Sequence, residues 1–148
     1  MSKALICVVT GASRGVGRGV ALALGAAGAT VYVTGRSVKE GDSPLPGTVG
    51  QTAADVTAAG GTGIAVACDH GDDAQAAALF ERVRREHGRL DILVNSAIAI
   101  PDQLTEAGPF WKKPLAMTSL LDVGLRSSYV ACHYAADLLI AARGLVIN

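Results

Sequence analysis

Short apolar runs alternate along the chain with longer segments of helical period. Residues 4–9 are continuously apolar instead of alternating, which predicts a strand buried on both faces. Residues 15–27 place small and apolar side chains at helical spacing and stop at Gly28. β-Branched residues predict a second strand at 30–34, and apolar runs a third at 64–68 and a fourth at 90–94. The stretch 35–50 holds Pro44, Pro46 and four glycines and reads as a loop, followed by a helix over 51–59 that Gly60 and Gly61 end. Asp72 and Asp73 open an alanine-rich helix reaching His87, with Arg82, Arg84 and Arg85 toward its end, as the helix dipole favours. A long polar and aromatic connection, 101–114, precedes a helix over 119–142, and 145–147 begins a fifth strand. Alternation of this kind predicts an α/β fold, a doubly wound parallel sheet covered by helices on both faces.

The 148 residues suffice for one compact domain, half of them apolar, with no internal repeat or linker. Thirteen basic residues balance thirteen acidic ones, and no basic stripe appears, which excludes nucleic acid and an anionic membrane surface as expected partners. No apolar stretch approaches a membrane span, and the run at 4–9 is too short for a signal sequence. Cys7, Cys68 and Cys132 each sit in an apolar run, as buried free thiols do, and no Cys or His spacing suits a metal. A reducing cytoplasm is the expected setting.

The strongest chemical signal follows the first strand. Thr10-Gly11-Ala12-Ser13-Arg14-Gly15-Val16-Gly17 is a glycine-rich turn that opens the first helix, where free backbone N–H groups and the helix dipole attract an anion. Gly11 permits the tight turn, Gly15 the approach of a pyrophosphate, and Gly17 close helix packing. The spacing is GxxxGxG and lacks the Gly-Lys-Ser/Thr ending of a P-loop, which counts against a nucleotide triphosphatase. The expected ligand is a dinucleotide on a Rossmann-type domain.

The second strand runs into Gly35 and Arg36, where an acidic residue would hold the ribose hydroxyls of NAD. With no carboxylate there, Arg36 can pair with a 2′-phosphate, and Arg14 is a second cation in the same region. The pair favours NADP over NAD.

Three stretches together resemble the short-chain dehydrogenase/reductase family: TGASRGVG after the first strand, Cys68-Asp69-His70 after the third, and Asp91-Ile92-Leu93-Val94-Asn95-Ser96-Ala97 around the fourth. The resemblance covers essentially the whole chain. It implies a Rossmann-type sheet whose first five strands of an expected seven are present. It also implies an adenine contact at Asp69 with His70 beside it, although Asp69 by itself is as readily a helix cap. Asn95 would steady the central strand, and the backbone through Ala97 would line the cofactor. Ile98 stands where the family has a glycine and narrows the space. Phe110-Trp111-Lys112-Lys113-Pro114 and Val123-Gly124-Leu125-Arg126 resemble one branch of the family, with Val123 at the cofactor's edge. Gly124 replaces an asparagine that organises a relay water in most members. Trp111 lines a substrate mouth or packs its own loop, and the sequence does not separate the two.

The family's chemistry is hydride transfer between nicotinamide and a small-molecule carbonyl or alcohol, with a serine and a YxxxK motif. Those residues are expected beyond Asn148, so the domain, 1–148, is expected to be truncated before them and inactive alone. Tyr129 and Tyr134 have no lysine four residues on, and His133 fits a packed or interface position, so no catalytic residue is assigned. The resemblance further implies a homodimer or homotetramer. The alternative function is a nucleotide-binding or assembly module without turnover.

Overall fold

A computed structural model describes residues 4–148. Five strands, β1 (Ile6–Val9), β2 (Thr30–Gly35), β3 (Thr62–Ala67), β4 (Ile92–Val94) and β5 (Leu145–Ile147), form one sheet in the order β3-β2-β1-β4-β5. Every pairing is parallel, with Val8 opposite both Tyr32 and Leu93. Four α-helices connect the strands: α1 (Gly15–Ala26), α2 (Val49–Ala58), α3 (Asp73–His87) and α4 (Ser127–Ala142).

The two-residue period of β1 divides the core into two layers. Ile6 and Val8 face a cluster with Tyr32, Leu93, Phe80 and Val83 of α3, and Leu138 of α4. Cys7 and Val9 face the opposite cluster, with Val31, Val33, Ala21 of α1, and Ala53 and Val56 of α2. Helices therefore cover both faces of the sheet, the doubly wound arrangement expected from continuously apolar strands. β5 lies at one edge with its three residues exposed.

β3 begins two residues earlier than the pattern along the chain predicts and β4 two residues later, and two helices depart from it as well. The second helix starts earlier, at Val49, because the Thr48 hydroxyl accepts from the Gln51 N–H and caps it. The expected helix over 119–142 is interrupted. Val123 (φ −108°, ψ 92°) and Gly124 (φ 154°, ψ −68°) leave helical geometry, and the regular helix begins only at Ser127. Helical periodicity continues through the break, so the apolar pattern alone conceals it. Between β4 and this kink run three short 3-10 turns, Asp102–Thr105, Phe110–Lys112 and Leu115–Thr118.

The order of strands reverses between β1 and β4. Connections from these two strands leave in opposite directions, and a crevice opens at their carboxyl ends, where such sheets bind ligands.

Candidate cofactor-binding site

The crevice is built on the glycine-rich turn between β1 and α1. Thr10 fixes it from below: its N–H donates to the Val94 carbonyl, and its hydroxyl accepts from Ser96 and Ala97 N–H at 3.0 Å each. Gly11 (φ 65°) passes so close to the loop after β4 that a Cβ would lie 2.7 Å from Ala97 Cα and 2.8 Å from Ser96 O. A Cβ on Gly17 would strike the Gly11 carbonyl, so this glycine lets α1 pack on the turn that precedes it. Gly15 (φ 59°) differs, since nothing lies within 4 Å of its Cβ position and its face is open to the cavity. Unlike α2 and α3, α1 has no side-chain cap. Its first-turn N–H groups are therefore left for a ligand.

The cavity above this turn has a volume of about 450 Å³. Its floor is Gly11, Ser13, Arg14, Gly15, Val16 and Gly17; Gly35 and Arg36 come from the end of β2, and Asp69 and His70 from the turn after β3. Ala97 and Val123 close the far side. Of the candidate cofactor residues read from the sequence, Asn95 alone lies outside it. Asn95 joins β4 to β5 by its N–H to Ile147 O (2.8 Å) and its Nδ2 to Asn148 Oδ1 (2.9 Å), and it faces a neighbouring crevice with Leu121, Leu125 and Ser128. Its position is that of a strand tie. Cys68, Ser96, Ile98, Ile100 and Leu45 also line the cavity. Ser96 and Ile98 belong to a stretch the sequence had marked, whereas nothing in the pattern distinguishes Leu45.

The two arginines differ in their surroundings. Arg36 is exposed and makes no side-chain hydrogen bond among the described residues. Arg14 is engaged: Nε donates to Pro46 O (3.1 Å), and Nη2 to Ser37 Oγ (2.8 Å) and Gly47 O (2.9 Å). Asp69 is not the helix cap. Its carboxylate accepts from the Gly71 N–H (2.9 Å), while Asp72 caps α3 through Ala74 and Gln75 N–H.

His70 is buried beneath the cavity wall. The Thr34 hydroxyl donates to Val9 O (3.2 Å), so its oxygen accepts from His70 Nε2–H at 2.8 Å, which assigns the tautomer. Nδ1 then faces Cys68 Sγ at 3.8 Å as an acceptor. Burial pushes the His70 pKa down to about 4, against a weaker opposing pull from Asp69. Burial, with Asp69 and Asp72 adding to it, pushes the Cys68 thiol up to about 11. Both groups are neutral near pH 7, so this wall carries no charge except at Asp69.

The kink at Val123–Gly124 is held from four sides. Ala99 N–H donates to Val123 O (2.8 Å), Gly124 N–H to Ser127 Oγ (3.0 Å), and Ser128 Oγ to Gly124 O (2.6 Å). Arg126 makes a bidentate pair with Asp73 at 2.7 and 2.6 Å, tying the segment to the start of α3. The expected relay asparagine is thus replaced by a glycine whose φ disfavours any side chain. Tyr129 is exposed and Tyr134 packs against the core. Among the described residues no group of His, Cys, Asp and Glu could hold a metal, and no helix is long and apolar enough to cross a membrane.

A parallel sheet in this order, with an open glycine-rich turn at its reversal point, defines a nucleotide-binding α/β protein. The family profile described as short chain dehydrogenase matches residues 5–148, and the chain belongs to that family. The branch resembled by the Trp111 and Gly124 segments is represented by dehydrogenase/reductase SDR family member 1 of Mus musculus. It is 42% identical over 150 residues, covering 98% of this chain and 45% of the mouse protein. The chain therefore spans less than half the length of this curated relative. Among solved structures, a metagenomic short-chain oxidoreductase in complex with NADP superposes with a TM-score of 0.82 at 34% identity, covering 97% of this chain and 61% of that one. A short chain dehydrogenase of Mycobacterium thermoresistibile gives 0.80 at 28% identity, covering 91% and 46%.

Proposed function

We propose that this chain is the cofactor-binding domain of an NADP-dependent oxidoreductase that interconverts small carbonyl compounds and alcohols. The observation that carries the reading is the open turn at Gly15, with an engaged Arg14 and an Arg36 that is unpaired among the described residues lining one cavity, and no carboxylate at the end of β2. A pyrophosphate fits over Gly15 and the uncapped start of α1, where the N–H groups and dipole favour it. Arg36 faces the position of a 2′-phosphate, and Asp69 with the neutral His70 wall suits adenine. The NADP complex of the metagenomic relative supports the choice of cofactor.

The nicotinamide supplies a hydride acceptor or donor when bound. The residues here bind and orient: Thr10 holds the turn against the loop after β4, and Val123 limits the far end of the cavity. Proton transfer requires a serine, tyrosine and lysine that the family places after β5. The outward stripe of α4, including Tyr129 and Ile140, exposes about three-quarters of each side chain and supports assembly as a homodimer or homotetramer. A reducing cytoplasm suits the three free cysteines.

Calorimetric titration of the chain with NADPH and with NADH tests the cofactor. NADPH should bind more tightly, and equal or tighter binding of NADH would remove the assignment. The φ of Gly124 favours a second reading, a nucleotide-binding module without turnover. Binding of NADPH by the full-length protein, with no oxidation of it by any aldehyde or ketone, would establish that reading instead.

A further inference from the structure

Two walls of the cavity come from elements far apart in the chain: the turn after β3, with Asp69 and His70, and the kink, with Val123. They touch at Gly71. A Cβ there would lie 3.3 Å from Val123 Cγ2 and 3.2 Å from Asp69 Oδ1, so the contact leaves little room for any side chain. Within the turn, Asp69 is held entirely by its neighbours. Its N–H donates to Gln75 Oε1 (2.9 Å), its carbonyl accepts from Asp72 N–H (3.0 Å), and its Oδ1 accepts from Gly71 N–H (2.9 Å). Asp69 Oδ2 has no donor among the described residues.

The kink is pinned toward the loop after β4 through Val123 O and toward α4 by Ser127 and Ser128. Toward α3 its polar tie is Arg126, whose Nη1 and Nη2 donate to the two oxygens of Asp73 at 2.7 and 2.6 Å. Asp73 is the first residue of α3 and sits between Asp72 and Gln75, two of the residues that hold Asp69. A bidentate fork fixes direction as well as distance, which a single-point surface pair does not.

We propose that Asp73 and Arg126 form a latch that sets the separation of the Asp69 turn from Val123, and with it the fit of the adenine ring between them. Both are positioning residues, since neither lines the cavity. The proposal rests on the NADP reading above. Held at this separation, Asp69 Oδ2 accepts from the amino group of adenine. Hypoxanthine carries a carbonyl oxygen at the same ring position, and the carboxylate repels it.

Amide exchange on the nucleotide-free chain tests the latch without reference to any cofactor. Arg126→Gln should speed exchange at Gly71, Asp72 and Gly124 by about three- to tenfold, and Arg126→Lys, which keeps the charge and loses the fork, by less. Calorimetry with NADPH and with its hypoxanthine analogue tests the ligand. The unaltered chain should favour NADPH. Asp73→Asn and Arg126→Gln should each shrink that preference by about three- to tenfold, with the double variant no worse than either single one. Arg126→Lys should restore part of it. A pair that only stabilises the fold would lower Tm and leave the preference intact; that result would overturn the proposal, as would additive losses in the double variant. Unchanged exchange in Arg126→Gln would overturn the latch itself. Failure of the unaltered chain to bind NADPH or NADH would refute the cofactor reading and the latch's ligand, and the exchange result would still decide the latch.

Discussion

His70 converts the burial of the cavity wall into a measurable pH dependence. The imidazole is 6% exposed, donates through Nε2 to Thr34, and has its pKa lowered from 6.5 to about 4. A depressed pKa means that the folded state resists the proton while the unfolded chain takes it up. The stabilisation from this group is therefore complete above pH 6.5, declines as pH falls below that value, and is gone below about 4. The shift corresponds to about 3 kcal/mol across the window, at 1.36 kcal/mol per unit. Acid also protonates Asp72, Asp73 and Glu86, whose pKa values are lowered by hydrogen bonds, so the whole-protein curve mixes several groups. Subtraction isolates the histidine. His70→Gln keeps a donor for the Thr34 oxygen and takes up no proton in this range. Denaturant unfolding of both proteins at pH values from 8 to 4 should show a stability gap that is largest at high pH and closes by about 3 kcal/mol toward pH 4. A gap that stays constant over this range would refute the buried neutral imidazole and with it the neutral wall.

Four further outcomes follow from three glycines and one arginine. Gly124→Asn places a side chain at φ 154°, a conformation costing about 1–3 kcal/mol, which lowers Tm by roughly 3–10 °C for a chain of this size; an unchanged Tm would show that the kink has another backbone course. In α1, Gly25→Ala should destabilise by about 1–3 kcal/mol because its Cβ would meet Val56 Cγ1 at 2.8 Å and Val56 O at 2.9 Å. Gly19→Ala, with nothing within 4 Å, should gain a little helix stability in the same thermal scan, and equal effects at the two sites would contradict the packing. Arg36→Asp should weaken NADPH about 10- to 100-fold, from loss of a charge-assisted bond, and NADH far less; equal losses by calorimetry would exclude a phosphate contact.

The alternation of apolar runs was enough to specify the sheet, because its central strand β1 and its neighbour β2 are buried on both faces and β1 carries an unbroken apolar signal. Gly11, Gly15 and Gly17 were equally legible, since their spacing after a strand has a mechanical reason at each position. The kink was hidden. Leu121, Leu125 and Ser128 keep helical spacing through Val123 and Gly124, and the turn shows only in the backbone dihedrals there and in the hydrogen bonds that Ala99, Ser127 and Ser128 make with this segment. The resemblance gives Asn95 the work of steadying the central strand, and its N–H and amide do tie β4 to β5; that they do so at the edge of the sheet depends on where β5 pairs.

Arg14 shows most clearly what a linear reading omits. Its place inside the glycine-rich turn identifies it as a cation near phosphate, and nothing in the sequence connects it with a loop more than twenty residues away. In the folded chain that loop supplies two carbonyls and a hydroxyl to Nε and Nη2 of the guanidinium, and Arg14 also lines the cavity. A lysine at this position could keep the charge but not the planar fork that reaches three loop acceptors at once. Arg14→Lys should therefore retain part of the preference for NADPH over NADH while loosening residues 38–47, a separation that amide exchange and calorimetry measure on the same preparation. Retention of a fully protected loop in Arg14→Lys would mean that charge alone holds the segment, and the fork would then have no role in positioning it.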